Sequence, residues 1–368
     1  MKVLLSGGGT GGHINPGIAI AQYIRAQEPD AEILFVGARQ GMEGELIPKA
    51  GFEIRFIEVA GFRRKLSVDT FVTIKKMFRG YGQSKKILRE FRPDIVIGTG
   101  GYVCGPVLYA AHRMGIKTLV HEQNVIPGVT VKILSKKVDG TLTSFPETSQ
   151  YIKRNVILTG NPISPEILTF DPRKARQNLG FDRRPLLLAY GGSLGAERVN
   201  DTVCGMLEKT AAAGRYQMIF GTGKREYDTV MKRLGDLPKR CPHIRILPYI
   251  YNMGECMAAA DLVIARAGAM TVSELGAIGK PAILIPSPNV AHNHQEFNAR
   301  AMEQKGAAVM ITEDRLSVEE LQRRVEEFFS RDGLMEQMGE NSRISGIRNA
   351  TEVIYQTVCR LVKPSVGK

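Results

Sequence analysis

The chain has 368 residues, 43% of them hydrophobic and 24% charged, a balance that excludes a disordered or collagen-like polymer. Its length suggests two domains of roughly 100–200 residues, and no apolar run approaches the roughly 18–20 residues that span a bilayer. The formal net charge is +13, and residues 1–160 carry 22 Lys+Arg against 13 Asp+Glu, a net of +9.

Apolar runs at 2–6, 31–37, 52–59, 94–98, 116–120 and 138–143 predict strands. They are rich in Val, Ile and Leu without alternation, the pattern of strands buried on both faces. Helical patterns lie between them near 15–27, 43–50, 69–91, 105–114 and 128–136. Residues 160–183 hold Pro162, Pro165 and Pro172, so 161–183 is expected to be a linker. The rhythm then restarts, with strands at 185–190, 215–220, 243–247, 261–264, 281–285 and 307–311. Helices are expected near 196–213, 224–235, 252–259, 270–278, 294–305 and 317–330. Val3-Leu4-Leu5-Ser6-Gly7-Gly8 parallels Leu187-Leu188-Ala189-Tyr190-Gly191-Gly192, and Asp94-Ile95-Val96-Ile97 parallels Asp261-Leu262-Val263-Ile264. The fold class is therefore α/β, with two Rossmann-like doubly wound parallel-sheet domains expected to face each other across a cleft. Their expected spans are 1–160 and 184–348, with an amphipathic helix near 349–362 returning to the first domain.

The N-terminal Met1-Lys2-Val3-Leu4-Leu5-Ser6 lacks the apolar stretch of about 7–15 residues that a secretory signal needs, so the cytoplasm is expected. Cys104, Cys204, Cys241, Cys256 and Cys359 contain no C-x-x-C pair, which argues against disulfides and a zinc site.

Several strand ends carry chemistry. Gly7-Gly8-Gly9-Thr10-Gly11-Gly12-His13 joins a strand to a helix, where glycines admit close approach and helix N–H groups favour an anion. It satisfies G-x-G-x-x-G, but the second strand ends in Arg39 rather than the acid that would hold an NAD ribose, which disfavours NAD. His13 could deprotonate a hydroxyl at neutral pH. Gly98-Thr99-Gly100-Gly101-Tyr102 forms a second backbone-rich turn. His121-Glu122-Gln123-Asn124 ends a strand where open α/β sheets bind ligands, and Val125 rules out H-E-x-x-H. Gly191-Gly192-Ser193-Leu194-Gly195-Ala196 suits a phosphate at a helix N-terminus. It also fits a hydrolase nucleophile elbow, with His243, His292 and His294 downstream. Ala269, Met270, Thr271 and Glu274 suit a diphosphate and a vicinal diol, although Thr271 and Glu274 could equally form a capping box. His292-Asn293-His294-Gln295 is dense in side chains that bond sugar hydroxyls. The chain has no Walker motif and no D-x-D, so neither an NTPase nor a magnesium-held nucleotide diphosphate is expected.

Gly11-Gly12-His13, Gly98-Thr99-Gly100-Gly101-Tyr102, His121-Glu122-Gln123-Asn124, Gly160-Asn161-Pro162, Gly191-Gly192-Ser193-Leu194-Gly195-Ala196 and Ala269-x-Thr271-x-x-Glu274 stand in one order along nearly the whole chain. That ordered set resembles the GT-B glycosyltransferases. Within them it resembles the bacterial family that adds N-acetylglucosamine to undecaprenyl-diphospho-muramoyl-pentapeptide (lipid I), giving lipid II. The resemblance implies an inverting, metal-independent transferase without cofactor. It implies His13 and Glu122 as catalytic residues, with His13 the candidate base. UDP-N-acetylglucosamine contacts would come from Thr10, Gly11, Gly12, Asn124, Ser193, Ile250, Ala269, Met270, Thr271, Glu274, His294 and Gln295. Ile250 would meet uracil through its backbone, Glu274 would hold the ribose, and Ser193 with Thr271 the diphosphate. The lipid diphosphate would bind at the loops 9–13 and 98–102, with Gly100, Gly101, Tyr102 and His121 as acceptor contacts. Many relatives carry Arg two positions after Gly160-Asn161-Pro162. Here Ser164 stands there, so that contact is either lost or supplied from elsewhere, by Arg266 or Arg198.

Residues 61–92 hold ten basic residues against only Asp69 and Glu90. Phe71, Ile74, Met77, Phe78 and Tyr81 interleave with Lys75, Lys76 and Arg79, a pattern suited to an anionic membrane surface. Peripheral attachment at the cytoplasmic face of the cell membrane is therefore expected, with no nucleic-acid partner. Two other functions fit parts of this pattern: a sugar-nucleotide epimerase on the same scaffold, and a non-catalytic basic membrane- or nucleic-acid-binding protein.

Overall fold

The computed structural model describes residues 1–59, 68–192 and 195–363, with side chains from 77 onward in the helix Val68–Phe91. Two compact units divide the chain: Met1–Ile163 with Asn349–Lys368, and Ser164–Arg348.

The first unit runs β1 (Lys2–Gly7), α1 (Gly11–Gln27), β2 (Glu32–Ala38), α2 (Glu43–Lys49), β3 (Glu53–Ile57), α3 (Val68–Phe91) and β4 (Ile95–Gly100). It continues through α4 (Cys104–Arg113), β5 (Lys117–Glu122), α5 (Val129–Leu134), β6 (Gly140–Thr143) and β7 (Val156–Leu158). Its sheet has the order β3-β2-β1-β4-β5-β6-β7, and every pairing is parallel. The apolar runs become strands because both faces are covered. Val3, Leu5, Ile95 and Ile97 bury against α1, while Leu4, Val96 and Val120 bury against α4.

In the second unit come α6 (Pro172–Asn178), β8 (Leu186–Tyr190), α7 (Glu197–Thr210), β9 (Gln217–Gly221), α8 (Tyr227–Leu234), α9 (Leu237–Arg240), β10 (Ile244–Leu247) and α10 (Met253–Ala259). They are followed by β11 (Leu262–Ala265), α11 (Ala269–Ile278), β12 (Ala282–Leu284), α12 (His294–Gln304), β13 (Ala308–Met310), α13 (Val318–Ser330) and α14 (Leu334–Ser345). Its parallel sheet has the order β10-β9-β8-β11-β12-β13. The last helix, α15 (Ala350–Val362), belongs to the first unit, where Ile354 and Val358 are fully buried.

Strand order reverses between β1 and β4 in one unit and between β8 and β11 in the other. The loops leaving the carboxyl ends of these four strands are the glycine-bearing turns, and such switch points are where doubly wound sheets bind ligands.

The segment 161–183 is not a plain linker. It carries a 3-10 turn at Pro165–Leu168 and α6, whose Asp171 side chain accepts the Lys174 N–H at 2.8 Å. Pro165 and Pro172 stand at helix starts, where a missing N–H costs nothing. β7, α9 and α14 were also not expected. The first two have three and four residues, too few to show a period.

Candidate active site

In the first unit the two glycine turns interlock. The Gly8 N–H donates to Gly100 O at 3.3 Å, and a Cβ on Gly101 would stand 2.4 Å from Gly8 O. Gly100 has φ +104° and no room for a side chain, because its Cβ would lie 2.6 Å from His13 Nδ1. The His13 ring thus rests on the β4 turn. Its backbone carbonyl accepts the Thr99 hydroxyl at 2.7 Å. Thr10 is the N-cap of α1, in extended conformation, so the first turn at Gly11 and Gly12 presents helix-start N–H groups. Tyr102 is exposed.

Beneath this surface lies a polar network. Gln123 Nε2 donates to Thr99 O at 2.9 Å and lies 2.9 Å from His121 Nδ1. Gln123 Oε1 lies 3.2 Å from His13 Nδ1, and His121 Nε2 lies 3.0 Å from Gly160 O. His121, expected to touch the acceptor, is wholly buried, and burial pushes its pKa down to about 4. Glu122 is also buried. Its Oε1 accepts the Asn124 N–H at 2.9 Å and Nδ2 at 3.2 Å, and its Oε2 accepts the Gly128 N–H at 2.9 Å. Burial raises its pKa against the pull of those donors. Its carboxylate therefore holds the loop that carries Asn124.

Glu43 was missed by sequence reasoning. This fully buried residue opens α2 and accepts the Gly9 N–H at 3.0 Å and the Ala38 N–H at 2.9 Å. Side chains on Gly8, Gly37 or Gly41 would collide with it. Those glycines are its only sequence signal, because its partners are backbone groups. Gln123 was seen within its tetrad but given no role.

In the second unit a cavity of about 710 Å³ lies at the β8–β11 switch point. Gly192, Gly195, Gly268, Thr271 and Gln295 are among its walls. Ser193 falls outside the described residues. Gly192 and Gly195 have φ of +100° and +87°, and a Cβ on Gly195 would stand 2.3 Å from Thr222 O. The N-cap of α11 is Gly268, so Thr271 and Glu274 do not form a capping box. Ala269 and Met270 make the first turn of α11, with Thr271 and Glu274 three residues apart along it. Glu274 is partly accessible, yet its carboxyl lies deep enough that burial lifts its pKa to about 7. Ile250 follows β10, with its side chain buried against Gly221.

His292 and Asn293 both adopt left-handed φ, +53° and +52°, just before α12. Such backbone costs on the order of 1 kcal/mol or more per residue and gathers at functional sites. His294 Nδ1 lies 2.8 Å from Ala291 O, and burial lowers its pKa. Gln295 Oε1 accepts the Ser287 N–H at 2.9 Å. Arg266 is committed elsewhere: it pairs with Glu313 at 2.6 Å and donates to Ile285 O and Pro286 O. Arg198 lines the cavity and donates to Leu316 O at 3.1 Å.

Residues 3–143 match the glycosyltransferase family 28 N-terminal domain, and residues 186–354 match the family's C-terminal domain. A protein of Acetivibrio thermocellus named UDP-N-acetylglucosamine–N-acetylmuramyl-(pentapeptide) pyrophosphoryl-undecaprenol N-acetylglucosamine transferase is 50% identical over 99% of this chain and 99% of its own length. A protein of the same name from Ruminiclostridium cellulolyticum is 43% identical over 98% of this chain and all of its own. Among solved structures, Acinetobacter baumannii MurG superposes with a TM-score of 0.79 at 26% identity, covering 98% of this chain and 99% of that one. A UDP-GlcNAc 2-epimerase from Neisseria meningitidis reaches a TM-score of 0.69 at 13% identity, over 98% of this chain and 100% of the other, a likeness of fold alone.

Proposed function

We infer that this chain, which belongs to glycosyltransferase family 28, transfers N-acetylglucosamine from UDP-N-acetylglucosamine to undecaprenyl-diphospho-muramoyl-pentapeptide. The observation that carries this is 50% identity spread over 99% of both chains to a transferase of that name. The epimerase reading rests on a shared fold at 13% identity and gains no residue-level support.

The acceptor hydroxyl gives its proton to His13 while its oxygen bonds to the donor's anomeric carbon. The bond from that carbon to the UDP oxygen breaks on the opposite face, and UDP leaves with the electron pair, so this direct displacement inverts the centre. Thr10, Gly11 and Gly12 supply N–H groups at the α1 start, and Gly100, Gly101 and Tyr102 form the neighbouring turn for the lipid diphosphate. Glu122 positions Asn124 through the loop it holds. In the second unit Ala269, Met270 and Thr271 at the start of α11 hold the leaving diphosphate, a role Ser193 shares. Glu274 accepts the ribose hydroxyls, Ile250 meets the base, and His294 with Gln295 reaches the sugar. Fixed dipoles of this kind stabilise a leaving diphosphate without a metal.

A peripheral position on the cytoplasmic face of an anionic membrane belongs to the same reading. No helix among the described residues is long and apolar enough to cross a membrane. Met77 and Phe78 of α3 are 41% and 69% exposed, with Arg79 next in the sequence. Phe71, Ile74, Lys75 and Lys76 lie outside the described side chains.

Transfer of radiolabelled N-acetylglucosamine from UDP to a short-chain lipid I analogue, with EDTA present, tests the reading. Labelled disaccharide product is expected. Turnover of the nucleotide sugar without acceptor would favour an epimerase, and restoration by magnesium would contradict a metal-free mechanism.

A further inference from the structure

Two backbone carbonyls determine the hydrogen positions of the network beneath His13. Gly160 O can only accept, so the His121 nitrogen 3.0 Å away, Nε2, carries the proton. The nearby Ser144 hydroxyl does not reverse this. It has the acceptors Asn161 Oδ1 and Glu122 O, each at 2.8 Å, whereas His121 Nε2 is 3.5 Å away. Asn161 is itself oriented by donating Nδ2 to Gln123 O at 3.0 Å. His121 is fully buried and neutral, with a pKa of about 4, so its Nδ1 is an acceptor.

The second carbonyl is Thr99 O. It requires a donor, and the Gln123 amide nitrogen lies 2.9 Å from it. The same nitrogen lies 2.9 Å from His121 Nδ1, the atom the first carbonyl left bare. The two anchors are independent and agree on how the Gln123 amide is turned. Its oxygen must therefore face His13 Nδ1, 3.2 Å away, and an amide oxygen can only accept.

We propose that Gln123 and His121 are positioning residues that lock His13 in the Nδ1–H tautomer, so that Nε2 carries the lone pair that takes the acceptor proton. His121 would act at one remove, by turning the Gln123 amide, and would not touch the substrate. The role parallels the carboxylate that orients the histidine of a serine protease triad, here played by a neutral amide. The proposal rests on the transferase reading for its purpose and on the hydrogen-bond geometry for its content.

Nitrogen-15 spectra of histidine-labelled protein test it without substrate. The six histidines include His13, which a His13→Gln variant assigns. The His13 Nε2 resonance should show the unprotonated nitrogen above the pKa, and His121 should show the unprotonated nitrogen at Nδ1. Gln123→Met should mix the His13 tautomers and lower kcat by about 10²-fold, short of the roughly 10⁴ lost when a triad histidine is left in the wrong tautomer, with the donor KM unchanged. His121→Asn, whose amide oxygen can receive the Gln123 amide, should retain more of the tautomer and of kcat than His121→Leu. The pair also serves if Gln123→Met does not fold. A wild-type His13 with its bare nitrogen at Nδ1 would overturn the proposal. So would a folded Gln123→Met with unchanged spectrum and kcat, or an asparagine no better than leucine. Absence of transfer by the wild-type protein would count against the transferase reading alone, because the spectra need no reaction.

Discussion

Replacing Glu274 with glutamine separates what the donor needs from what the fold tolerates. Burial lifts this carboxyl from 4.5 to about 7. Between those values the folded protein holds a proton that the unfolded chain has released, so the group's contribution to stability is complete below about pH 4.5 and is lost as pH rises through about 7. At about 1.4 kcal/mol per decade of proton activity, the ionised carboxyl near pH 8 costs the fold about 3 kcal/mol, an upper figure for a partly accessible side chain. Glutamine carries no such cost. Glu274→Gln should therefore melt several degrees above the wild type near pH 8 and alongside it near pH 5, at roughly 2–4 °C per kcal/mol for a unit of this size. Donor affinity should move the other way. A hydrogen bond to a charged acceptor contributes about 1.5–3 kcal/mol, so UDP should bind the variant roughly 10- to 100-fold more weakly near pH 8. Wild-type affinity should rise between about pH 6 and 8, and the variant's should stay flat. Calorimetric titration with UDP and thermal melts across that range read both effects. Equal pH slopes in the two proteins, or unchanged UDP affinity, would refute the assignment.

His13→Ala should lower kcat by about 10²–10⁴-fold while leaving donor affinity intact, and a split of binding and turnover by rapid-quench measurement checks it. Glu43→Ala should destabilise the first unit by about 2–4 kcal/mol, because it strands the Gly9 and Ala38 N–H groups and empties a buried site. Denaturant unfolding reads that loss, and a variant within experimental error of the wild type would show that Glu43 is no keystone of the loop. Phe78→Asp should reduce sedimentation with anionic vesicles about tenfold or more, given about 1.5–3 kcal/mol for burying such a ring. Unaltered binding would move the membrane contact off α3.

The strands were legible because burial on both faces writes itself as uninterrupted Val, Ile and Leu. Val3-Leu4-Leu5 and Leu262-Val263-Ile264 need no context to be read. The glycine turns were legible for a similar reason, since positions such as Gly100 and Gly195 admit no side chain. What a polar residue does at a strand end was not legible. His121, Glu122, Gln123 and Asn124 look alike as a run. Only the three-dimensional partners show that His121 and Gln123 point at each other and that Glu122 spends itself on Gly128. Glu43 was invisible because its partners are main-chain N–H groups, which carry no sequence identity. Arg266 offered a free guanidinium on paper and proved to be paired with Glu313.

The return of α15 to the first unit has a consequence for synthesis. Its Tyr355 meets Tyr23 edge-on at 5.9 Å and donates to Glu28 at 3.1 Å, while Ile354 and Val358 fill the space beside α1. The end of α1 thus waits for residues that emerge from the ribosome more than three hundred positions later. The second unit, continuous from Ser164 to Arg348, can complete its core while the first still exposes an apolar stripe on α1. The second unit can therefore finish before the first, whose packing is complete only once α15 has joined α1.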